Sequence, residues 1–480
     1  MAIARSAHSG AAPISTSSGA AVFVPDSVVV RKATRLEGQI TAPPSKSYSH
    51  RALMVAGLCE EEVFVENPLN SDDIRATADA WQALGTSVQW EPADNRYRVH
   101  GVARPFQSMM SQPDRIYVKE SGTTLRFLLP GLAFASQDIR VEGKQSLKHR
   151  PNHMIVAPLQ ELGVRLEGEG DSHKVPITVH GAGFLPAGEV KISGENSSQV
   201  VSAFLLWLPL ASYRRTGIAN IVSKFVSPAR RRKSVIRVQG NLVSKPYVDI
   251  TIDALRRWGQ IVIDEEQPGS VYSIPVGQRF SPSSRSFSVN GDYSSAAFVL
   301  VAATLCHAEV LVRGLRQDKQ GDRAIVEILR NMGARLEQWE NGIQVKGPTR
   351  LTGMELDCSS IPDLVPILCV LGAFAEGKTI LKNIAHLKYK ETDRLKGPTE
   401  ELRKLGVQIS HTDDSIVVEK SQLTEGRVSA RGDHRMAMSL MVAGLAGNGI
   451  YLDGATSIKK SYPDFIQDMQ SIGAVIESLK

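Results

Sequence analysis

Several short stretches of the chain carry side chains suited to ionic chemistry, each at the mouth of an apolar run. Lys46, Ser47 and Arg51 open one run, and Gly122, Thr123 and Arg126 a second. Ser197, Ser198 and Gln199 open a third, and His434 and Arg435 a later one. A polar turn leading into a segment with almost no charge is the signature of a helix buried on all sides. Its N-terminus offers free N–H groups and the positive end of the helix dipole, a ready anion site. Any one of these turns is explained by N-capping, for which Ser and Asp are favoured. Their recurrence, with cations and hydroxyls, points to convergence on a polyanionic substrate. Carboxylates for acid/base work are also present. Asp363 follows Pro362 at the start of another apolar run. Lys390, Glu391, Asp393 and Arg394 open an amphipathic segment, where helical spacing puts Lys390 and Arg394 on one face with Glu391 beside them. Alone, that stretch also reads as a surface ion-pair ladder. There is no Walker A sequence, GxSxG elbow or HExxH pair, and the eleven histidines show no metal-ligand spacing.

The elements that position these residues repeat. Six times an amphipathic helical pattern ends in glycine (Gly85, Gly163, Gly259, Gly333, Gly406, Gly473) and runs into β-type alternation. About 40 residues before each glycine, an apolar helix pattern begins, the six starting near Lys46, Gly122, Ser197, Asp292, Asp363 and His434. Strand-like stretches such as Glu62–Val65, Val310–Val312 and Thr379–Leu381 follow. The unit is apolar helix, strand, amphipathic helix, strand, strand. Its period exceeds the roughly 20–50 residues of solenoids, so two globular domains of three units each are predicted. The third unit is the longest, and its excess contains Arg230, Arg231, Arg232 and Lys233. That run reads as a solvated loop or as a contact for nucleic acid or a partner.

Composition bounds the class. The chain has 480 residues, is 42% apolar and 22% charged, and carries a net charge of +6. These are globular values, with a mild bias towards anionic partners. Cys59, Cys306, Cys358 and Cys369 lie far apart, which reads as buried thiols in a reducing compartment. The longest apolar run, Leu364–Ala375, is interrupted by Pro366 and Gly372 and falls short of the roughly 18 residues a membrane span needs. Residues 1–27 read as a disordered leader or a transit segment: 1–25 are rich in Ala and Ser, and no acid precedes Asp26.

The stretches PPSKSYSHRAL, SGTTLRFL, SSQVVSAFLL, LVSKPYVDI, IPD, KETDRL, DHRMAM and KKSYPDF occur in this order. Together they resemble the 5-enolpyruvylshikimate-3-phosphate synthases of the enolpyruvyl transferase family, over about residues 30–480. The resemblance implies a two-domain inside-out α/β fold, each domain holding three βαβαββ units. Domain one would be residues 45–288 and domain two residues 28–44 plus 289–480, with the active site in the cleft between them. The implied reaction moves the enolpyruvyl group of phosphoenolpyruvate to the 5-hydroxyl of shikimate 3-phosphate and releases phosphate, as in aromatic amino acid and chorismate biosynthesis. It needs no metal or organic cofactor, and glyphosate is an expected competitor of phosphoenolpyruvate. The implied catalytic residues are Asp363, accepting the 5-hydroxyl proton, Glu391, donating a proton to C3, and Lys46 between the substrates. Shikimate 3-phosphate would touch Lys46, Ser47, Arg51, Ser197, Ser198, Gln199, Ser244, Tyr247, Asp363, His386 and Lys390. Phosphoenolpyruvate would touch Lys46, Gly122, Arg150, Gln199, Arg394, Arg435 and Lys460. The two substrates are the implied partners of a cytoplasmic monomer (organellar if the leader is a transit peptide), with no membrane or nucleic acid.

Three features depart from the pattern. Glu120 stands where many members carry Asn, beside the expected phosphate, and neighbouring Lys119 is the expected counter-charge. His386 stands where an Asn is common, and the third unit is long. They keep open an enolpyruvyl transferase for another anionic acceptor, such as a nucleotide. A catalytically silent binding protein is a further reading, but it predicts a missing acid or base, and Lys46, Asp363 and Glu391 are all in place.

Overall fold

The computed structural model describes residues 23–102, 113–195, 197–213 and 233–479. The leader up to residue 22 and Arg230–Arg232 lie outside the described residues. The fold is α/β, with six four-stranded sheets of one recurring order. In the second, Arg115–Tyr117 pairs in parallel with Asp138–Glu142, and Lys174–His180 and Arg165–Glu169 follow antiparallel. A parallel pair needs a crossover, and the apolar helix Gly122–Leu128 supplies it. The six inner helices are Lys46–Leu58, Gly122–Leu128, Ser198–Trp207, Tyr293–Leu305, Val365–Phe374 and His434–Ala446. All are nearly devoid of charge and almost wholly buried, as a helix apolar on every face must be.

The repeats are permuted along the chain. Ser27–Val30 completes the sixth sheet, between Ile450–Asp453 and Ile476–Ser478. Leu36–Thr41 is the leading strand of the fourth sheet, and Ser286–Ser288 that of the first. The chain therefore passes from one half to the other near Pro44 and returns near Gly291, where these two residues bridge. A Cβ on Gly291 would lie 2.6 Å from the Gly314 carbonyl oxygen, so only glycine fits. Two apolar cores result. One draws on residues between Tyr48 and Val289, the other on Val24–Ala42 and Tyr293–Ile476.

The outer helices end as the pattern predicts in five units, where Gly85, Gly163, Gly333, Gly406 and Gly473 have positive φ. The third unit differs: Gly259 is the last helical residue and Gln260 takes the left-handed position. Gly259 serves packing instead, since a Cβ there would meet Phe280 at 3.0 Å. A second correction concerns Lys390–Asp393, which form a turn, the helix starting at Lys396. The Asp393 carboxylate accepts from the N–H groups of Leu395 and Lys396, so this acid supports the start of the helix after it and itself stays outside that helix. All four cysteines are buried and free. Among the described residues, no helix is long and apolar enough to cross a membrane.

Candidate active site

The N-terminal ends of five of the six inner helices, from both halves, converge on one cavity of about 110 Å³. Its wall includes Lys46, Ser47 and Arg51 from the first inner helix, Gly122, Thr123 and Arg126 from the second, and Ser197, Ser198 and Gln199 from the third. Arg150, Ser244 and Tyr247 complete that side. Asp363, His386, Lys390, Glu391, Arg394 and His434 face them from the other half. Six cations (Lys46, Arg51, Arg126, Arg150, Lys390, Arg394) stand against three carboxylates (Asp73, Asp363, Glu391) on this wall. Such an excess in a partly desolvated cleft selects an anionic ligand.

Arg394 organises the second half's face. Only 1% of its side chain is exposed. Nη1 donates to Asp363 Oδ1 at 2.7 Å, Nη2 to Glu391 Oε2 at 2.9 Å and Nε to Asp433 Oδ2 at 2.8 Å. One planar fork thus sets the spacing of two cavity carboxylates, and Asp433, the N-cap of the sixth inner helix, anchors the fork. Asp363 also accepts from Tyr247 Oη at 3.0 Å and Arg435 Nη2 at 3.2 Å. The Tyr247 contact ties the halves together across the cavity. Burial would push Asp363 up, but Arg435, Arg394, Lys390 and Lys46 hold it well below the usual carboxylate range. Burial likewise opposes charge on Glu391, and Arg150 and Arg394 outweigh it; Arg150 Nη2 lies 3.4 Å from Glu391 Oε1. Asp363 is therefore an ionised acceptor. Glu391 becomes a donor only when something weakens its cations' field.

The first half's face is built from neutral caps. Ser45, Ser121 and Ser197 accept from the first free N–H groups of their helices. Gln199 bridges Arg126 Nη1, at 2.6 Å, and the Thr123 hydroxyl, at 3.1 Å. Ser244 sits in the left-handed region and makes no side-chain cap bond. Lys46 Nζ lies 3.4 Å from Asp73. Burial pushes Arg51 and Arg126 down to about 10 and His386 down to about 3, so this histidine is neutral near pH 7.

Of the residues expected from sequence, the cavity gathers Lys46, Ser47, Arg51, Gly122, Arg150, Ser197, Ser198, Gln199, Ser244, Tyr247, Asp363, His386, Lys390, Glu391 and Arg394. Arg51 lines the cavity and is also tied into the fold. Its nitrogens donate to Thr251, Ser47, Ser202 and Tyr247, so it braces the cavity floor. Arg435 sits behind Asp363 and is 1% exposed. Lys460 lies outside the cavity wall, 2.8 Å from Glu120. Lys119 does not supply that counter-charge, since it pairs with Asp79 at 2.8 Å. Sequence reasoning missed Asp433, whose cap position in Asp433-His434-Arg435 was the available signal, and Asp73, His50 and Tyr389, which carried none. Among the described residues no His/Cys/Asp/Glu group could hold a metal ion.

Comparison with known proteins places this geometry. A family model described as EPSP synthase (3-phosphoshikimate 1-carboxyvinyltransferase) matches residues 30–228 and 225–469. A protein of Methanococcus vannielii named 3-phosphoshikimate 1-carboxyvinyltransferase is 34% identical over 94% of this chain and 99% of its own length. One of the same name from Methanococcoides burtonii is 35% identical over 92% and 96%. Among solved structures, an EPSP synthase from Acinetobacter baumannii superposes with TM-score 0.75 at 26% identity, covering 95% of this chain and 99% of that one. The enolpyruvyl transferase NikO from Streptomyces tendae gives 0.69 at 17% identity over 95% and 99%, a likeness of fold alone.

Proposed function

The chain belongs to the EPSP synthase (3-phosphoshikimate 1-carboxyvinyltransferase) family, and we propose that Asp363 and Glu391, held by the single guanidinium of Arg394, perform its acid and base chemistry. The enzyme transfers the enolpyruvyl group of phosphoenolpyruvate to the 5-hydroxyl of shikimate 3-phosphate. Asp363 takes the hydroxyl proton as the oxygen attacks C2, while Glu391 delivers a proton to C3. A C3 proton of the tetrahedral adduct then returns to the Glu391 carboxylate as the C2–O(phosphate) bond breaks, and phosphate leaves. Arg150 and Arg394 hold Glu391 ionised in this structure. Anionic phosphoenolpyruvate on those arginines competes for their charge, so its arrival raises the proton affinity of Glu391. Protonation of the acid is coupled to binding of the substrate it serves.

The first half (residues 45–288) supplies most of the cradle for shikimate 3-phosphate: Ser197, Ser198 and Ser244 for its phosphate, with Ser47, Arg51, Gln199 and Tyr247 around it, and His386 and Lys390 reach it from the second half. Lys46, Gly122, Arg150, Arg394, Arg435 and Lys460 form the phosphoenolpyruvate side. The second half is residues 28–44 plus 289–480. Small-molecule pockets usually measure about 300–1,000 Å³, so a cavity of about 110 Å³ admits two substrates only after the halves part. They close again to exclude water. Both faces of the site come from one chain, which supports action as a monomer, and four free thiols support a cytoplasmic setting. No observation favours a nucleotide acceptor.

Phosphate release from phosphoenolpyruvate, with and without shikimate 3-phosphate, tests the reading. Release that depends on shikimate 3-phosphate supports it, and release indifferent to that acceptor overturns it. Small-angle scattering tests closure: no compaction with shikimate 3-phosphate plus glyphosate would remove it.

A further inference from the structure

Glu120 and Lys460 are on opposite halves. Glu120 lies two residues before Gly122, the first residue of the second inner helix. Lys460 ends the turn Ala455–Lys460. Their charged groups meet at 2.8 Å with side chains only 13% and 19% exposed, and Lys460 Nζ also donates to the Gly432 carbonyl at 3.2 Å. Gly432 adjoins Asp433, the cap that anchors Arg394, so the pair sits at the edge of the catalytic cluster. The Glu120 turn is itself constrained. Lys119 has φ of +53°, a region that residues with side chains rarely occupy, and its own ammonium is held by Asp79.

We propose that Glu120 is a gatekeeper for phosphoenolpyruvate: its ion pair with Lys460 bridges the two halves, and the substrate must compete with the Glu120 carboxylate for the Lys460 ammonium. This rests on the placing of Lys460 on the phosphoenolpyruvate side. The phosphate and the carboxylate are both anions seeking one cation across a partly desolvated gap. Either the pair breaks, or three charges share the space and the two anions repel. In both cases affinity for phosphoenolpyruvate is set lower than a neutral side chain at position 120 would allow. Shikimate 3-phosphate, held by the Ser197, Ser198 and Ser244 side, is untouched by this competition.

The test is steady-state kinetics of E120Q, E120N, E120D, K460M and the double variant E120Q/K460M. Thermal unfolding establishes that each is folded, and E120N substitutes if E120Q does not fold. E120Q is expected to lower KM for phosphoenolpyruvate by about tenfold, the scale of one partly buried charge interaction. KM for shikimate 3-phosphate should stay within about twofold, and E120D should retain the parent behaviour. K460M should raise KM for phosphoenolpyruvate, and adding E120Q to it should recover part of that loss, because without Lys460 the Glu120 carboxylate still repels the substrate. An unchanged or higher KM for phosphoenolpyruvate in E120Q, with K460M impaired, overturns the gatekeeper alone. If K460M leaves that KM unchanged, the placing of Lys460 falls and the gatekeeper with it. Loss of shikimate 3-phosphate-dependent phosphate release in the parent protein would instead strike the enzymatic reading.

Discussion

The two halves use one repeat, yet cap their inner helices differently. In the first half the caps are Ser45, Ser121 and Ser197. In the second they are Asp292 and Asp433, with Asp363 just before the remaining helix. A serine satisfies the free N–H groups without adding charge, so the positive end of the helix stays available to an anion. An aspartate cap cancels that end and has charge left for a cation. Asp433 holds the Arg394 guanidinium, whereas Asp292 spends its second oxygen on the backbone N–H of Lys46 in the first half, at 3.1 Å. A neutral-capped face suits holding phosphates, and an acid-capped face suits positioning proton-transfer groups. One scaffold divides binding from chemistry by a choice made at a single position per helix.

The contrast can be broken at its strongest point first. Asp363→Ala and Glu391→Gln should each lower kcat by about 10²–10⁴-fold, the typical worth of a positioned acid or base. Circular dichroism should show the fold retained, and full activity in either variant would cancel its role. Asp433→Asn should cost about 3 kcal/mol in urea unfolding, because it leaves Arg394 buried without its anchor, and should reduce kcat together with stability. An effect on KM alone would show that Asp433 belongs to binding. Converting a binding cap to the acidic type, Ser197→Asp, should raise KM for shikimate 3-phosphate by about tenfold or more and leave stability within about 1 kcal/mol. An unchanged KM would refute the division by caps.

Smaller effects sharpen the picture. A Cβ on Gly122 would lie 3.1 Å from Arg150 Nη1 and 3.4 Å from Arg126 Nη1. Both are ends of flexible side chains, so Gly122→Ala should leave stability within about 0.5 kcal/mol. It should shift Arg150 and change KM for phosphoenolpyruvate and inhibition by glyphosate more than kcat. The smallest effect concerns acid stability. His386 is held neutral by burial, down to about 3, whereas the unfolded chain takes up its proton near 6.5. Its contribution is present above pH 6.5 and is lost as pH falls from there towards 3. Denaturant melts at pH 6.5 and 5 should show His386→Asn losing less stability than the parent, by at most about 2 kcal/mol.

Much of this was legible in the chain itself. Periodic apolar runs announce buried helices because a charge-free segment has no wetted face to offer. Glycine after an amphipathic run marks a helix end because few other residues take positive φ at little cost. Where those rules failed, tertiary contacts had intervened. Gly259 was taken by packing against Phe280, and Lys390–Asp393 stayed a turn because Asp393 caps the helix after it. The candidate site was legible as residue types at helix starts. Arg51 matches the pattern as well as Lys46 does, but only the fold shows that its guanidinium also ties Thr251, Ser202 and Tyr247 together.

Local order, then, was determined by the sequence: six repeats, their caps, their buried helices and a surplus of cations near helix starts. These follow from periodicity and propensity, which act between neighbours a few residues apart. The tertiary structure alone decided which charges meet. Asp433 reaches Arg394 across 39 residues, Tyr247 reaches Asp363 across 116, and Glu120 finds Lys460 rather than Lys119 beside it. Charge pairing depends on distance in space and on water excluded by packing, and neither quantity is written in the spacing of residues along a chain.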